Sequence, residues 1–255
     1  MKRFLISLAT GSFVLVAGLN NAIAQDGEDD ASARPVELYI CSYNDGMGPA
    51  DLDAVTAKWN KWADGQGLDD YSAWTLTKFY SGSEQDFDYI WLGEAANANS
   101  LGAGQDKWLA TGGEVSASFR RVSACDTHTL FSSFEFKAAP EEERSKFVVS
   151  FSDCNIADGK NFSDDVAPAI AAWAKFRTEQ GSNSGQYVFF PTYGGGSEEF
   201  DFKWVSTYGS HAEQGTDWDN WDADKARELF SGVIDCDSSR VYDATNRRRA
   251  ANEGE

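Results

Sequence analysis

Only two histidines, His128 and His211, occur in 255 residues, so no site here can rest on a cluster of imidazoles. Basic side chains are scarce as well: 22 Lys and Arg stand against 41 Asp and Glu, a formal charge of -19. Neutralising a nucleic-acid backbone takes Lys and Arg in number, so nucleic acid is not an expected partner, and anionic membrane surfaces are disfavoured. Solubility is the plain meaning of the acidity. The four cysteines include no pair two to four residues apart, which removes the spacing of a zinc site. Acidic clusters such as Asp26-Gly27-Glu28-Asp29-Asp30 lack the ligand spacing of a calcium loop. No metal and no cofactor is therefore expected. Gly-x-Ser-x-Gly, the phosphate-binding P-loop and His-Glu-x-x-His are all missing. Long apolar runs are missing too, apart from Phe4 to Leu19. That run is broken by Gly11, Ser12 and Gly18 and is short for a membrane span.

What precedes and follows that run reads as an export signal over 1–24. Lys2 and Arg3 supply the positive start, and Ala22-Ile23-Ala24 a small-x-small cleavage site. Cleavage there removes Lys2 and Arg3 and takes the formal charge from -19 to -21. No Cys lies at the cut, so lipid attachment is not expected. Residues 25–34 read as a disordered acidic leader. The expected location is periplasmic or secreted, where four cysteines form two disulfides.

The most informative feature is a repeat. Tyr80-x6-Phe87-Asp88-x2-Trp91 recurs as Tyr193-x6-Phe200-Asp201-x2-Trp204, shifted by 113 positions. Cys41 maps onto Cys154, Trp59 onto Trp173 and Cys125-Asp126 onto Cys236-Asp237. Two copies of one unit are expected, at 35–137 and 146–245, with a charged linker at 138–145 and an unstructured tail at 246–255. One early and one late Cys in each copy selects the pairs Cys41–Cys125 and Cys154–Cys236.

Within copy one, Val36 to Cys41 alternates as a strand, and Asp51 opens a helix with Leu52, Val55, Trp59 and Trp62 on one face. Ala73 to Tyr80 and Phe87 to Leu92 form a hairpin, followed by a helical segment near Gln105 to Ala110 and a last strand from Thr127 to Phe136. Copy two repeats that order. The expected fold class is α+β: two tandem ferredoxin-like βαββαβ domains packed sheet to sheet, each with its helices on one face. Phe87, Tyr89 and Trp91, with Phe200, Phe202 and Trp204, would form the buried seam between sheets. Asp88 and Asp201 would face the helices, where a carboxylate must be paired, hydrogen-bonded or functional.

On this element order, duplication and aromatic facing, the chain resembles the dimeric α/β-barrel superfamily, fused here as an internal pseudo-dimer and expected to be a monomer. The resemblance implies a pocket between sheet and helices, and functions that range over cofactor-free monooxygenases, haem-handling proteins and stress-response domains. The haem-handling members rely on a positioned His. His128 and His211 align with Ser239 and Ala98 in the opposite copies, and neither sits in a recognisable ligand pattern, so both read as ordinary strand-end or surface residues. The ligand-binding candidates are the duplicated residues Trp59, Tyr80, Asp88, Trp173, Tyr193 and Asp201. Lys61 and Lys175 offer the two aspartates a structural ion pair. Gly194-Gly195-Gly196 reads as a hairpin turn, and Asp217-Trp218-Asp219-Asn220-Trp221-Asp222 as a loop and helix start, or as a stacking surface for a carbohydrate or cation. The function expected first is binding of a small molecule or a protein partner without catalysis. The alternative is a monooxygenase-like enzyme acting on an aromatic or hydrophobic small molecule.

Overall fold

The computed structural model describes residues 33–140, 144–196 and 198–251. The export signal at 1–24 and nearly all of the acidic leader lie outside the described residues, as do parts of the linker and tail.

Alternation builds the first strand, β1 (Arg34–Tyr43). Val36 and Leu38 join one cluster of buried residues, and Cys41 joins another on the opposite face. Pro49 opens α1 (Pro49–Gly65), and the Asp51 carboxylate accepts from the Gly48 N–H at 3.0 Å. Leu52, Val55, Trp59 and Ala63 form its buried stripe. There follow β2 (Tyr71–Tyr80), β3 (Tyr89–Ala95), α2 (Ala98–Thr111), α3 (Gly113–Val122) and β4 (Ser123–Lys137). The second half comprises β5 (Lys146–Ile156), a π-helical turn (Phe162–Val166) leading into α4 (Ala167–Glu179), β6 (Gly185–Tyr193), β7 (Phe202–Tyr208), α5 (His211–Asp219), α6 (Ala223–Phe230), β8 (Ile234–Cys236) and β9 (Arg240–Arg248).

The sheet corrects the expected architecture. Instead of two ferredoxin-like domains packed sheet to sheet, the nine strands of the described residues form one sheet in the order β7-β6-β4-β1-β3-β2-β9-β5-β8. A pairing of β7 with β5 closes eight of them into an antiparallel barrel, with six α-helices among the described residues. Strands from opposite halves are hydrogen-bonded neighbours, β4 with β6 and β2 with β9. Two separate four-stranded sheets would each leave two edges of unpaired N–H and C=O groups, whereas closure pairs the barrel strands on both sides and leaves only the three-residue β8 outside.

Closure also reverses the expected faces of Tyr89, Trp91, Phe202 and Trp204, while Phe87 and Phe200 stay packed on the interior cluster. Ile90, Leu92 and Val205 point into the barrel with Val36, Phe131 and Phe189. Tyr89 and Trp91 pack outward in the cluster of Leu52, Val55 and Trp59 on α1, and Phe202 packs with Ile170 on α4. Period-two alternation separates the two faces of a strand but cannot say which is inside when both are apolar. The strand β9 continues through Arg248, into the stretch read as tail. Arg247 and Arg248 pair with Asp53 and Asp64, laying their stems across α1.

The disulfides Cys41–Cys125 and Cys154–Cys236 lie across β1–β4 and β5–β8, at sequence separations of 84 and 82. Loop entropy makes each worth up to about 4–5 kcal/mol. They suit an oxidising compartment. No helix among the described residues is long and apolar enough to cross a membrane.

Candidate functional site

On the outward face of β1, alternation that sends Val36 and Leu38 into the barrel sends Glu37 and Tyr39 the other way, on the side of α2. Glu37 is only 5% exposed. A carboxylate so deep needs partners, and it has four. The Tyr71 hydroxyl donates to Oε1 at 2.6 Å, and His128 Nε2 lies 3.0 Å from Oε2. Gln105 on α2 and the Tyr39 hydroxyl each reach Oε2 at 3.4 Å.

Register explains the assembly. Glu37 stands opposite Gly93 on β3, and Gly93 opposite Ala73 on β2. A Cβ at Gly93 would overlap the Tyr71 phenol, so the glycine opens the path by which Tyr71 crosses β3 to Glu37. Tyr39 stands opposite His128 on β4, and their rings stack at 3.7 Å and 13°. Burial first, and then the charge of Glu37, push the phenols of Tyr39 and Tyr71 well above their ordinary range, so both act as neutral donors. The imidazole of His128 is 45% exposed while its carboxylate partner is 7% exposed. With Nε2–H directed at Glu37, Nδ1 is left as an acceptor facing outward. A buried carboxylate that orients a solvent-reaching imidazole is the geometry of a positioned general base.

The six residues singled out in the sequence lie in separate settings. Trp59 is buried edge-on to Trp91 and Tyr71, at 5.1 and 5.9 Å, and so touches the glutamate cluster through Tyr71. Trp173 is buried among Phe176, Trp221 and Phe230. Tyr80 and Tyr193 are exposed at strand ends. Asp88 and Asp201 are also exposed, and each clamps backbone: Asp88 accepts from the Tyr43 N–H at 2.6 Å, Asp201 from the Ile156 N–H at 2.7 Å. His211 is engaged with the Asp243 carboxylate at 2.8 Å and packs on Phe79. Sequence reasoning missed Glu37, Tyr39, Tyr71, Gln105 and His128 as a set. The available signal was a single acid between two apolar strand residues, Val36-Glu37-Leu38.

Two cavities open in the second half. One of about 360 Å³ is lined by Phe176, Trp221 and Asp222, the other, of about 270 Å³, by Arg177, Ser182 and Asp217. Both border the loop between α5 and α6.

No protein-family model matches the chain, and no curated protein sequence does. Solved structures do. A provisionally assigned monooxygenase from Fusobacterium nucleatum superposes with a TM-score of 0.56 at 8% identity, covering 85% of this chain and 94% of that one. A provisionally assigned chlorite dismutase gives 0.53 at 11% identity, covering 87% and 98%. A mutant chlorite dismutase from Candidatus Nitrospira defluvii gives 0.53 at 9% identity, covering 84% and 92%. The likeness is one of fold.

Haem, an expectation raised by the family resemblance of the sequence, does not fit the space between sheet and helices. His211 is engaged at both ring nitrogens, by Asp243 and Gln214, whereas His128 is engaged by Glu37 at Nε2, a contact a metal-ligating imidazole also makes. Between sheet and helices, Trp59 and Trp91 fill the first half and Trp173, Trp204 and Phe230 the second. Neither cavity is lined by an imidazole or a thiolate. Among the described residues no group of three or more His, Cys, Asp or Glu is placed to hold a metal ion.

Proposed function

We propose that this protein is a monooxygenase-like enzyme that acts on an aromatic or hydrophobic small molecule, with His128 as general base and Glu37 as its positioning partner. The observation that carries the reading is the half-exposed imidazole held by a buried carboxylate. The fold it shares with provisionally assigned monooxygenases supports it. This reading displaces non-catalytic binding as the first choice.

In the proposed reaction, Nδ1 of His128 takes a proton from an acidic C–H or O–H of the substrate. Glu37 then faces an imidazolium, whose charge it stabilises across the 3.0 Å contact. Tyr71 and Gln105 hold Glu37 in place, and Tyr39 keeps the imidazole plane fixed by stacking. Dioxygen is the co-reactant. An activated methylene of the substrate becomes a carbonyl: one oxygen atom enters the product, and the other leaves as water with the two methylene hydrogens. The substrate supplies all four electrons that dioxygen takes up, so no separate reductant is needed. The reading includes export, and descent of the two halves from one duplicated unit. The recurring Tyr, Phe, Asp and Trp spacing and one disulfide in each half support the duplication.

Oxygen uptake tests the reaction with a panel of benzylic ketones and related aromatic compounds that carry an activated methylene group. His128→Ala should lower kcat/KM by about a hundredfold or more. Glu37→Gln should lower it less and change the pH profile. Equal uptake by wild type and His128→Ala across the panel would overturn the reading.

A further inference from the structure

We infer that the 270 Å³ cavity of the second half is a binding site for a small oxyanion, a carboxylate or a phosphate, independent of the His128 site. Its floor is Arg177 on α4, whose side chain is only 1% exposed. The guanidinium is partly used: Nη1 donates to the Asn220 carbonyl at 2.7 Å, and Nη2 to the Asp217 carbonyl at 2.9 Å and to the Asp217 carboxylate. Its Nε–H is buried with no hydrogen-bond partner in the protein. An orphaned donor on a buried cation is costly, and Arg177 is also one of the residues lining the cavity, so an acceptor that entered would lie beside its guanidinium.

The local charge points the same way. Lys137 donates to the carbonyls of Ser182 and Ser184, two residues that line the cavity. Burial first, with Arg177 adding to it against the opposing pull of Asp217, brings the Lys137 ammonium below its ordinary range. Of the acids at the cavity, Asp217 is already committed to Arg177 and Ser182, and Glu213 to Arg144 at 2.9 Å. Two cations therefore share one inner carboxylate, inside a chain whose overall formal charge is -19. An anion that entered would relieve their repulsion.

The matching place in the first half is filled. Ser184 stands 113 positions after Tyr71, and Arg177 stands 114 after the buried Ala63. A phenol ring spans the first half at that point. In the second half a serine leaves space and an arginine supplies charge.

Titration calorimetry and tryptophan fluorescence test the site, because the Arg177 guanidinium lies 5.5 Å from the Trp173 ring centre. The probes are acetate, benzoate and inorganic phosphate, with tetramethylammonium chloride as the cationic control. At least one anion should bind saturably with a fluorescence change, and the control should not. Lys137→Met, which removes the cation behind the lining residues Ser182 and Ser184, should weaken binding about tenfold. Ser184→Tyr, which places the first half's residue in the cavity, should abolish it while oxygen uptake through His128 is unchanged. A cavity holding only water would show no saturable response to any of the three anions. That result, or binding that survives in Ser184→Tyr, overturns the inference.

Discussion

Asp88 and Asp201 illustrate how a residue recurs for reasons of folding alone. Each precedes a strand, gives its own N–H to a cysteine carbonyl on the neighbouring strand, Cys41 or Cys154, and accepts a backbone N–H two residues beyond that cysteine. The carboxylate thus finishes the strand pairing where the ladder frays. Asp88→Ala should lower stability by about 1–2 kcal/mol, the worth of a charged hydrogen bond at an exposed site. Asp201→Ala should cost the same, and neither should alter activity at His128. Urea unfolding measures the first effect and oxygen uptake the second. The residues that differ between halves are more informative about chemistry. Tyr39 and His128 stack in the first half, whereas the matching Ser152 and Ser239 share a hydrogen bond of 2.7 Å. Searching for shared residues therefore led away from Glu37 and His128.

At the scale of elements, strands and long amphipathic helices were legible because burial imprints a period on them. α1 and α4 have buried stripes, and both were found. α5 has no buried residue, so no apolar period marks it. Its start is written in capping chemistry instead: Ser210 accepts from the Glu213 N–H at 3.1 Å, and Glu213 accepts from the Gly209 N–H at 3.1 Å. The turn after β6 has a role that local reading could not supply. Gly194 has φ +80°, and a Cβ there would overlap the His128 carbonyl. A turn of the second half thus abuts the strand that carries the proposed base. Gly194→Val should destabilise by about 1–3 kcal/mol, from strain at positive φ and displaced backbone. It should also lower kcat/KM beyond any loss of folded protein, as thermal unfolding and kinetics on the same sample would show.

The whole molecule couples burial to alkaline stability. Tyr39, Tyr71, Tyr187 and Tyr208 all have phenols raised first by burial, Tyr208 to about 12 from an ordinary value of 10. A phenol raised by folding holds its proton more tightly in the folded state. Its contribution is complete below the unfolded value of about 10 and is lost as pH rises toward the folded one. The barrel should therefore unfold above about pH 10, with tyrosinate absorbance and circular dichroism changing together. Ionisation of the full complement of tyrosines well ahead of unfolding would contradict the burial described here. The chain by itself determined the alternation of its strands, the positions of its cysteines and its acidity, because each is a local or summed property of the residues. Only the tertiary structure decided that one barrel closes, which face of each strand is inside, and that Glu37 meets His128 across 91 positions. Those outcomes depend on pairing β4 with β6 and β5 with β7, non-local contacts that no local period encodes.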